Sequence, residues 1–416
     1  MINFREKINQ TLLWSQKYTQ ADMVYLANGG FWLGLGQIVS ITASFLLAIA
    51  FANFLPKEIY GQYQYILSIF AILTIFSLPG MNWAIAQAAA RGYEGSFIPG
   101  LKMEIRWGIL GGLISLGAAG YYFLKGDPIF TISFLIVALF LPLLDPPSIF
   151  HGYLRGKKLF KSFTKYSLIT QLISAGCLII VLFLSNNLFL ILLAYFIPYT
   201  ALRFIFLKVV LKKFPPNQKK DPKTLSYGKH LSLMDVMGLV ADRLDYILLY
   251  HFLGAGVLAV YSFALIVPQK ITGFFGGIIN PLFFPKLSEK KAEDLKINLP
   301  QKAFKLFLVL IPVVAVYIIS APFLYKIFFP KYLESVFYSQ IFALSILLFP
   351  GILFTTFLAA QMKKKQLYIY KFISSFIRIV FLLILTPLYG IIGAISAILV
   401  AQIFALGLAI FLFKWT

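Results

Sequence analysis

Residues 155–187 read RGKKLFKSFTKYSLITQLISAGCLIIVLFLSNN, and this stretch decides the fold class. Five basic residues cluster around the start of an apolar run at 164–184, and a short polar turn ends it. A helix needs about 20 apolar residues to cross a hydrocarbon layer about 30 Å thick, which is close to the length of this run. The same arrangement recurs along the chain, so the sequence predicts an α-helical protein that crosses a membrane many times.

The composition of the whole chain supports this class. Of its 416 residues, 60% are hydrophobic and 12% are charged, whereas a soluble domain is typically about 45–50% apolar and about 25% charged. Lipid cannot satisfy free backbone groups, so helices are the expected spanning structure. We predict twelve spans, at 29–54, 60–85, 103–124, 128–150, 164–184, 188–211, 228–252, 256–284, 302–327, 335–360, 366–386 and 389–413.

The distribution of positive charge predicts the orientation in the membrane. Of the 37 Lys and Arg residues, 29 lie in one set of alternating loops or in the span ends beside them, 4 lie in or beside the other set, and 4 lie deeper inside spans. Loops rich in Lys and Arg stay in the cytoplasm, so both termini are predicted there and the number of spans is even. The net charge of +22 is therefore concentrated in cytoplasmic loops and does not indicate a nucleic-acid partner.

The chain is predicted to form two lobes, 29–211 and 228–416, joined by a polar, turn-rich cytoplasmic linker at 212–227. The N-terminal segment 1–28 is cytoplasmic and is either an interfacial helix, because its apolar residues recur at helical spacing, or a partly ordered tail. The halves also align at an offset of 198 residues, which places Phe54, Leu55 and Tyr63 on Phe252, Leu253 and Tyr261. Both halves start in the cytoplasm, so we expect two pseudo-symmetric six-helix bundles facing each other across a cavity.

Charged residues inside the predicted spans mark the candidate site. Four of them are basic: Arg203, Arg243, Lys270 and Arg378. The seventh span adds three carboxylates: Asp235, Asp242 and Asp245. An ionisable group at the centre of a bilayer costs roughly 2.5–3.5 kcal/mol, so such groups normally face protein or water.

Two interpretations of the basic residues stay open. Arg243, Lys270 and Arg378 either line a cationic cavity for an anionic head group or form ion pairs, most plausibly with Asp242 or Asp245. Arginine and lysine suit phosphate because they donate several charge-assisted hydrogen bonds. Arg203 lies nearer the cytoplasmic end of its span, so it either joins this cavity or extends to the interface.

The carboxylates allow two roles as well. Asp242 and Asp245 are either counter-ions for Arg243 or residues that couple transport to a proton or another cation. Asp235 lies seven residues before Asp242 and is predicted to share its helix face. Asp145, set among prolines near the inner end of the fourth span, is expected to cap a helix or to pair locally.

The sequence contains no motif that indicates an enzyme or a cofactor. It has no Gly-Lys-Ser/Thr phosphate loop, and its three histidines, His151, His230 and His251, lie at predicted span ends without metal-ligand spacing. The single Cys177 lies in an apolar run and excludes an internal disulfide framework. We therefore predict neither a metal nor a cofactor.

Several stretches, in order along nearly the whole chain, resemble the bacterial polysaccharide-biosynthesis membrane proteins, the O-antigen or Wzx-type flippases of the multidrug/oligosaccharidyl-lipid/polysaccharide superfamily. The stretches are 29–37 (GGFWLGLGQ), 50–63 (AFANFLPKEIYGQY), 245–249 (DYILL) with 252–254 (FLG) and Tyr261, 285–288 (PKLS) and 387–394 (PLYGIIGA). The resemblance implies a two-lobed transporter of the bacterial inner membrane that works by alternating access.

The resemblance also implies a cargo, an undecaprenyl-diphosphate-linked oligosaccharide, together with membrane lipids and possible partners among polysaccharide polymerase and assembly proteins. Coupling to H⁺ or Na⁺ is left open. Two rival hypotheses are a cation-coupled multidrug exporter of the same fold, which would favour an acidic cavity, and a membrane glycosyltransferase or glycan polymerase. The latter would typically display catalytic carboxylates on a large outer loop, whereas all predicted outer loops here are short.

Overall fold

The computed structural model describes residues 23–289 and 292–415, in which helices joined by short turns make up nearly the whole chain. The helices are α1 (Met23–Phe54), α2 (Lys57–Leu73), α3 (Met81–Ala90), α4 (Phe97–Leu124), α5 (Pro128–Leu144), α6 (Phe150–Gly156), α7 (Phe160–Leu184), α8 (Leu188–Lys213), α9 (Thr224–Ala241), α10 (Leu244–Glu289), α11 (Ala292–Phe328), α12 (Ser335–Phe342), α13 (Ile352–Ala360) and α14 (Lys364–Lys414). Short 3₁₀ turns lie at Thr74–Ser77, Glu94–Ser96, Pro146–Ile149, Pro330–Tyr332 and Ala343–Gly351. The predicted all-α membrane fold is confirmed.

Ten segments of the described chain are long and apolar enough to cross a membrane, and eight of them match one predicted span each. The other two, Thr224–Gly277 and Lys364–Lys414, contain 54 and 51 residues. A straight helix of that length would measure roughly 80 Å, more than twice the hydrocarbon thickness. Gly254 (φ 83°) and Gly390 (φ 59°) interrupt these segments with non-helical backbone, so each segment covers two of the twelve predicted spans.

Four predicted spans are not continuous helices. The second is divided by the 3₁₀ turn Thr74–Ser77 between α2 and α3. The seventh is divided by the turn Asp242–Arg243 between α9 and α10. The fourth and the tenth are divided by the 3₁₀ turns Pro146–Ile149 and Ala343–Gly351. At the predicted offset of 198 residues, the first of these two turns falls within the second. The predicted N-terminal segment 1–28 lies outside the described residues except for the first turns of α1, which already begins at Met23.

The helices pack mainly within their own half of the chain. In the N-terminal half, α1 packs on α7, α4 on α5, and α7 on α8; in the C-terminal half, α12, α13 and α14 surround α10. The two halves meet where α2 and α1 contact α10, and where α3 contacts α9. Two lobes of this kind place α9 and α10 at the centre of the molecule.

The lobes contact each other at both ends. At the end with the short loops, Lys57 forms an ion pair with Glu334, and Lys331 Nζ donates to the carbonyl oxygen of Asn53 at 2.7 Å. At the end with the long basic loops, the backbone N–H of Gly80 donates to Ser232 Oγ at 3.0 Å. The space between the lobes is therefore bounded at both ends.

Candidate functional site

The centre of the site is the turn that divides the seventh span. Asp242 caps the C-terminus of α9, its N–H bonding to the carbonyl oxygen of Gly238, and α10 starts at Leu244. Asp245 lies in the first turn of α10. Helix ends expose backbone groups that a continuous helix would satisfy, so breaks within a membrane are tolerated where they face protein or a wet cavity.

A cavity of about 530 Å³ opens beside this turn in the C-terminal lobe. Its wall combines charged groups with neutral hydrogen-bonding side chains and apolar rings. The charged residues are Asp242, Arg243, Asp245 and Arg378, and the neutral polar residues include Gln269, Thr272, Ser345, Thr355, Tyr370 and Gln402. This is a polar chamber within a protein that is 60% hydrophobic.

A second cavity of about 430 Å³ lies on the other side of the turn, between the lobes. Asp145 and Arg203 reach it from the N-terminal lobe, and Asp242 and Arg243 reach it from the C-terminal lobe. Because Asp242 and Arg243 lie on the walls of both cavities, we describe the two spaces together as the central cavity. It contains three arginines and three aspartates, so its formal charge is balanced.

Arg203 does not extend to the interface but points into the protein. Its guanidinium bonds to Asp145 Oδ1 and to the carbonyl oxygen of Leu144, both at 2.9 Å. Asp145 thus pairs with a residue 58 positions away on another helix, and not locally as expected. The pair joins α8 to the turn that follows α5.

Arg378 forms an ion pair with Asp242, not with a residue of its own helix. About two turns nearer the basic loops, Lys371 Nζ bonds to Asp235 Oδ1 at 2.6 Å. Both acids thus face α14, as their seven-residue spacing predicts. Asp242 is therefore a counter-ion, as we considered. Its partner is Arg378, whereas we had considered this role for Asp242 beside Arg243.

Arg243 and Asp245 have different environments. Among the described residues, Arg243 forms no ion pair, and its guanidinium lies 5.6 Å from the ring centre of Tyr246. Asp245 is 1% exposed and accepts hydrogen bonds from the Tyr261 hydroxyl and from the backbone N–H of Tyr246. Asp245 is therefore held as part of the cavity wall, while Arg243 keeps its hydrogen-bond donors for another group.

Lys270 lies on the interface between the lobes. Its Nζ donates to Ser44 Oγ on α1 at 2.6 Å, while its neighbours Gln269 and Thr272 line the central cavity. Gln37 makes a second contact between the same helices, donating to the carbonyl oxygen of Gly273 at 3.3 Å. Of the candidate cations, Arg203, Arg243 and Arg378 thus share the cavity wall, and Lys270 bridges α1 and α10.

Sequence reasoning missed three residues of this region. Tyr261 and Ser44 act through contacts with residues far away in the sequence, which no local pattern indicates. Glu104 on α4 is 1% exposed, and its Oε2 has no hydrogen-bond partner. A signal for it existed, because Gly100, Glu104 and Gly108 recur every four residues and so mark one tightly packed helix face.

No group of three His, Cys, Asp or Glu side chains suited to a metal ion occurs in the part of the chain that the structure describes. The chemistry available in the central cavity is ion pairing and hydrogen bonding. Guanidinium groups bind carboxylates and phosphates with two parallel hydrogen bonds, so the pairs seen here can exchange one anion for another.

Comparison with known proteins was made for the whole chain. The model of a family described as "Polysaccharide biosynthesis protein" matches residues 26–291. The chain belongs to this family. An uncharacterized membrane protein of Methanocaldococcus jannaschii, MJ1068, is 25% identical to this polysaccharide biosynthesis protein over 409 residues, covering 87% of this chain and 79% of the relative.

Solved structures share the fold of this polysaccharide biosynthesis protein. The lipid II flippase MurJ in an inward closed conformation superposes with a TM-score of 0.71 and 17% identity, over 91% of this chain and 86% of MurJ. A multidrug resistance MATE family transporter of the MOP superfamily in an outward-facing conformation superposes with a TM-score of 0.64 and 13% identity, over 93% of this chain and 94% of that transporter. The predicted family and two-lobed MATE-like fold are confirmed.

Proposed function

We propose that this protein is a flippase that moves an undecaprenyl-diphosphate-linked oligosaccharide across the bacterial inner membrane, with both termini in the cytoplasm. Membership of the polysaccharide biosynthesis family and the fold shared with MOP-superfamily proteins support a transporter. The cargo is the one that the family resemblance implies, and the arginines of the central cavity suit its diphosphate.

The diphosphate is the part of this cargo that the cavity suits. Arg243 offers its hydrogen-bond donors on the wall of both cavities, and Arg203 and Arg378 contribute two more guanidinium groups. In the absence of cargo Arg203 and Arg378 are neutralised by Asp145 and Asp242. A diphosphate would displace a carboxylate from a guanidinium, and a displaced Asp242 could remain solvated, because its side chain is 64% exposed.

The sugar part would lie against the neutral polar residues of the larger cavity. Gln269, Thr355 and Gln402 provide amide and hydroxyl groups there. Such side chains donate and accept hydrogen bonds, as sugar hydroxyls require. The prenyl chain would remain in lipid, because the cavity is too small for it at about 530 Å³.

Movement of the cargo would require the lobes to separate at one end and then at the other. The contacts Lys57–Glu334 and Lys331–Asn53 would open toward the side with the short loops. The contact between Gly80 and Ser232 would open toward the side with the basic loops. The Lys270–Ser44 hydrogen bond lies between these ends and would break during either movement.

The observation that carries the proposal is Arg243, an arginine without an ion pair among the described residues, on a wall shared by both cavities. The test replaces Arg243, Lys270 and Arg378 together by glutamine in the native host. We expect glycan export to fall roughly tenfold or more, because each lost charge-assisted hydrogen bond is worth about 1.5–3 kcal/mol. Export would be measured as surface glycan per cell, at equal amounts of membrane-inserted protein.

The matched control replaces three exposed linker lysines by glutamine and so removes the same net charge. These lysines are Lys219, Lys220 and Lys223. Normal export by the control and loss of export by the cavity variant support the proposal. Unchanged export by the cavity variant would show that these cations do not hold the cargo.

A cation-coupled multidrug exporter is the second candidate. It is favoured by the MATE-like fold and by Asp242, whose side chain is 64% exposed toward the cavity. A cationic drug would take the place of Arg378 beside this carboxylate. Drug-resistance assays on a strain expressing the protein distinguish the two, because resistance that depends on Asp242 but not on Arg243 would favour the exporter.

A further inference from the structure

Glu104 lies on a helix face of α4 that packs tightly against the end of α5. A Cβ atom on Gly100 would lie 3.2 Å from Ile149, and one on Gly108 would lie 2.9 Å from the Cα atom of Pro142. Glu104 is halfway between these glycines and shares their face. It therefore faces the middle of the segment 142–149, where Asp145 is located.

The carboxyl group of Glu104 is buried, and one of its oxygens has no hydrogen-bond partner. The residue is 1% exposed, and its Oε2 atom contacts no hydrogen-bond donor. Asp145 is close enough to interact electrostatically with Glu104, and its negative charge repels an ionised glutamate. An ionised carboxylate in such a place costs several kcal/mol, and binding a proton removes that cost.

The partner of Asp145 carries a vacant hydrogen-bond donor. Arg203 bonds to Asp145 through one terminal nitrogen, while its buried Nε–H has no acceptor. Asp145, at the wall of the central cavity, thus has an unsatisfied acceptor on Glu104 and an unsatisfied donor on Arg203 in its surroundings. Each would gain a partner if the guanidinium shifted toward Glu104.

We propose that Glu104 is a proton-binding site that switches Arg203 between Asp145 and Glu104. The inference rests on the proposed transport function for its purpose, but the proton site itself does not. With the proton bound, Glu104 is neutral and Arg203 stays on Asp145, as in this structure. When the O–H bond breaks, the electron pair stays on the carboxylate, the proton passes to water in the central cavity, and the new carboxylate competes for the guanidinium.

The switch would change the charge presented to the central cavity. Deprotonation of Glu104 adds one negative charge beside Arg203, and this would weaken the hold of Arg203 on an anionic cargo. Proton uptake would restore it. A proton would therefore be coupled to cargo binding through two residues of the N-terminal lobe.

Other charged groups near α4 do not account for such a switch. The residues of α3, α5 and the turn Thr74–Ser77 that pack on α4 include no charged side chain. Lys57 and Glu58 lie at the opposite end of α2, and Lys102 and Arg106 on α4 itself are exposed. Glu94 is paired with Lys157 at 2.9 Å.

The remaining titratable neighbour is His151 on α6, which lies within the electrostatic reach of Arg203 and of Arg155. Its Nε2 atom is buried and has no partner. A test must therefore distinguish a carboxylic acid from an imidazole.

The first experiment is infrared spectroscopy of the purified full chain in liposomes, in H₂O and in D₂O at neutral pH. We expect a carbonyl stretch of a protonated carboxylic acid that shifts in D₂O and is lost in Glu104→Gln. Asp145→Asn should weaken the band, because it removes the like charge and frees Arg203 to pair with an ionised Glu104. If Glu104→Gln does not fold, Glu104→Asp must shift the band. A spectrum identical in wild type and Glu104 variants would overturn the proposal.

The second experiment measures the distance between the lobes as a function of pH. Spin labels replace the exposed residues Phe54 and Leu333, and Cys177 becomes serine. We expect the distance distribution to change with pH in this background and in His151→Gln, and to keep its low-pH form at every pH in Glu104→Gln. A distance distribution that still changes with pH in Glu104→Gln would contradict the switch.

Neither experiment uses the cargo. If Glu104 binds a proton but the protein does not transport the glycolipid, the switch stands and only the proposed substrate is refuted. If the protein transports the glycolipid but Glu104 binds no proton, only the switch is refuted.

Discussion

The charged residues of the central cavity differ in how firmly their partners hold them. Asp245 is buried and fixed by Tyr261 and by the backbone of Tyr246. Arg378 is mostly buried, with a side chain 22% exposed, but its partner Asp242 faces the open cavity. An ion pair with one solvated member is weaker than a fully buried pair. The wall thus combines a fixed carboxylate with an exchangeable arginine, which suits a site that must release its cargo.

The bond from Tyr261 to Asp245 gives a prediction about stability. Tyr261→Phe removes the hydroxyl donor from a buried carboxylate and leaves the ring in place, so we expect a loss of about 1–3 kcal/mol. Thermal unfolding in detergent should show a midpoint several degrees lower. Tyr389→Phe, at a ring that is 64% exposed, is the control and should unfold like the wild type. Equal midpoints for both variants would show that the hydroxyl does not support Asp245.

For single residues, the sequence patterns indicated which charged residues belong to the site, but not which residues they contact. The spacing of Asp235 and Asp242 indicated one helix face, and both acids do face α14. The sequence left open an ion pair of Asp242 with several cations and could not select Arg378, because this pair joins residues 136 positions apart. Glu104 was overlooked because its neighbours Lys102 and Arg106 made the start of α4 resemble a cytoplasmic loop.

Two glycines interrupt the two long helical segments α10 and α14. Gly254 has φ 83° and ψ 179°, a conformation that is accessible essentially to glycine alone. It ends the first part of α10, so the chain can return through the membrane instead of continuing straight. Gly390 has φ 59° and does the same in α14. With these breaks, the ten apolar segments of the described residues can accommodate the twelve predicted spans.

Substitution of Gly254 tests this geometry. Gly254→Ala should destabilise the protein by about 1–3 kcal/mol, because an L-residue is strained at that φ and ψ although no atom blocks the added methyl group. Gly256→Ala is the control, since its methyl group would make only an ordinary contact, 3.7 Å from Glu58. The unfolding midpoint in detergent measures both. A Gly254→Ala protein as stable as Gly256→Ala would contradict the assigned break.

The crossing of α2 and α10 depends on a close approach of their backbones. A Cβ atom on Gly61 would lie 1.9 Å from the carbonyl oxygen of Ala255, so any side chain there must push the lobes apart. Tyr60 and Phe263 pack beside this point, with ring centres 4.9 Å apart. Closure at the end with the short loops therefore requires glycine at position 61.

Cross-linking measures this closure. With Cys177 replaced by serine, Lys57→Cys and Glu334→Cys should be joined by a short bis-maleimide cross-linker, because the long native side chains bridge the same gap. Adding Gly61→Ala should reduce the cross-linked fraction severalfold. Adding Gly117→Ala, where a methyl group would meet nothing within 4 Å, should leave the fraction unchanged. Equal cross-linking in the two variants would show that this crossing does not control closure.

Apolar runs predicted where helices cross the membrane, but not where they break. The prolines at 142, 146, 147 and 350 lie in or beside the two 3₁₀ turns and were the available signal. The turn at Asp242–Arg243 contains neither proline nor glycine, and its position depends on contacts with α14. Its charges were evident from the sequence, whereas the interruption of the helix was not.

The whole molecule combines closed ends with a polar centre. Contacts between the lobes at Lys57–Glu334 and at Gly80–Ser232 enclose a cavity with three arginines and three aspartates on its wall. The composition and the alternation of charge predicted the membrane fold, and the family resemblance predicted the two lobes. The balance of charge in the cavity could not be predicted, because Asp145 and Arg203 reach it from a different lobe than Arg378.

The measurement that tests the account most directly is translocation in liposomes that contain only the purified protein. A polyprenyl-diphosphate glycolipid is placed in one leaflet, and its sugar is detected in the other by an enzyme that cannot cross the membrane. We predict transfer by the wild type and by Lys414→Gln, and transfer slowed roughly tenfold or more by Arg243→Gln. Transfer no faster than in protein-free liposomes, or an Arg243→Gln rate equal to that of the wild type, would contradict the account.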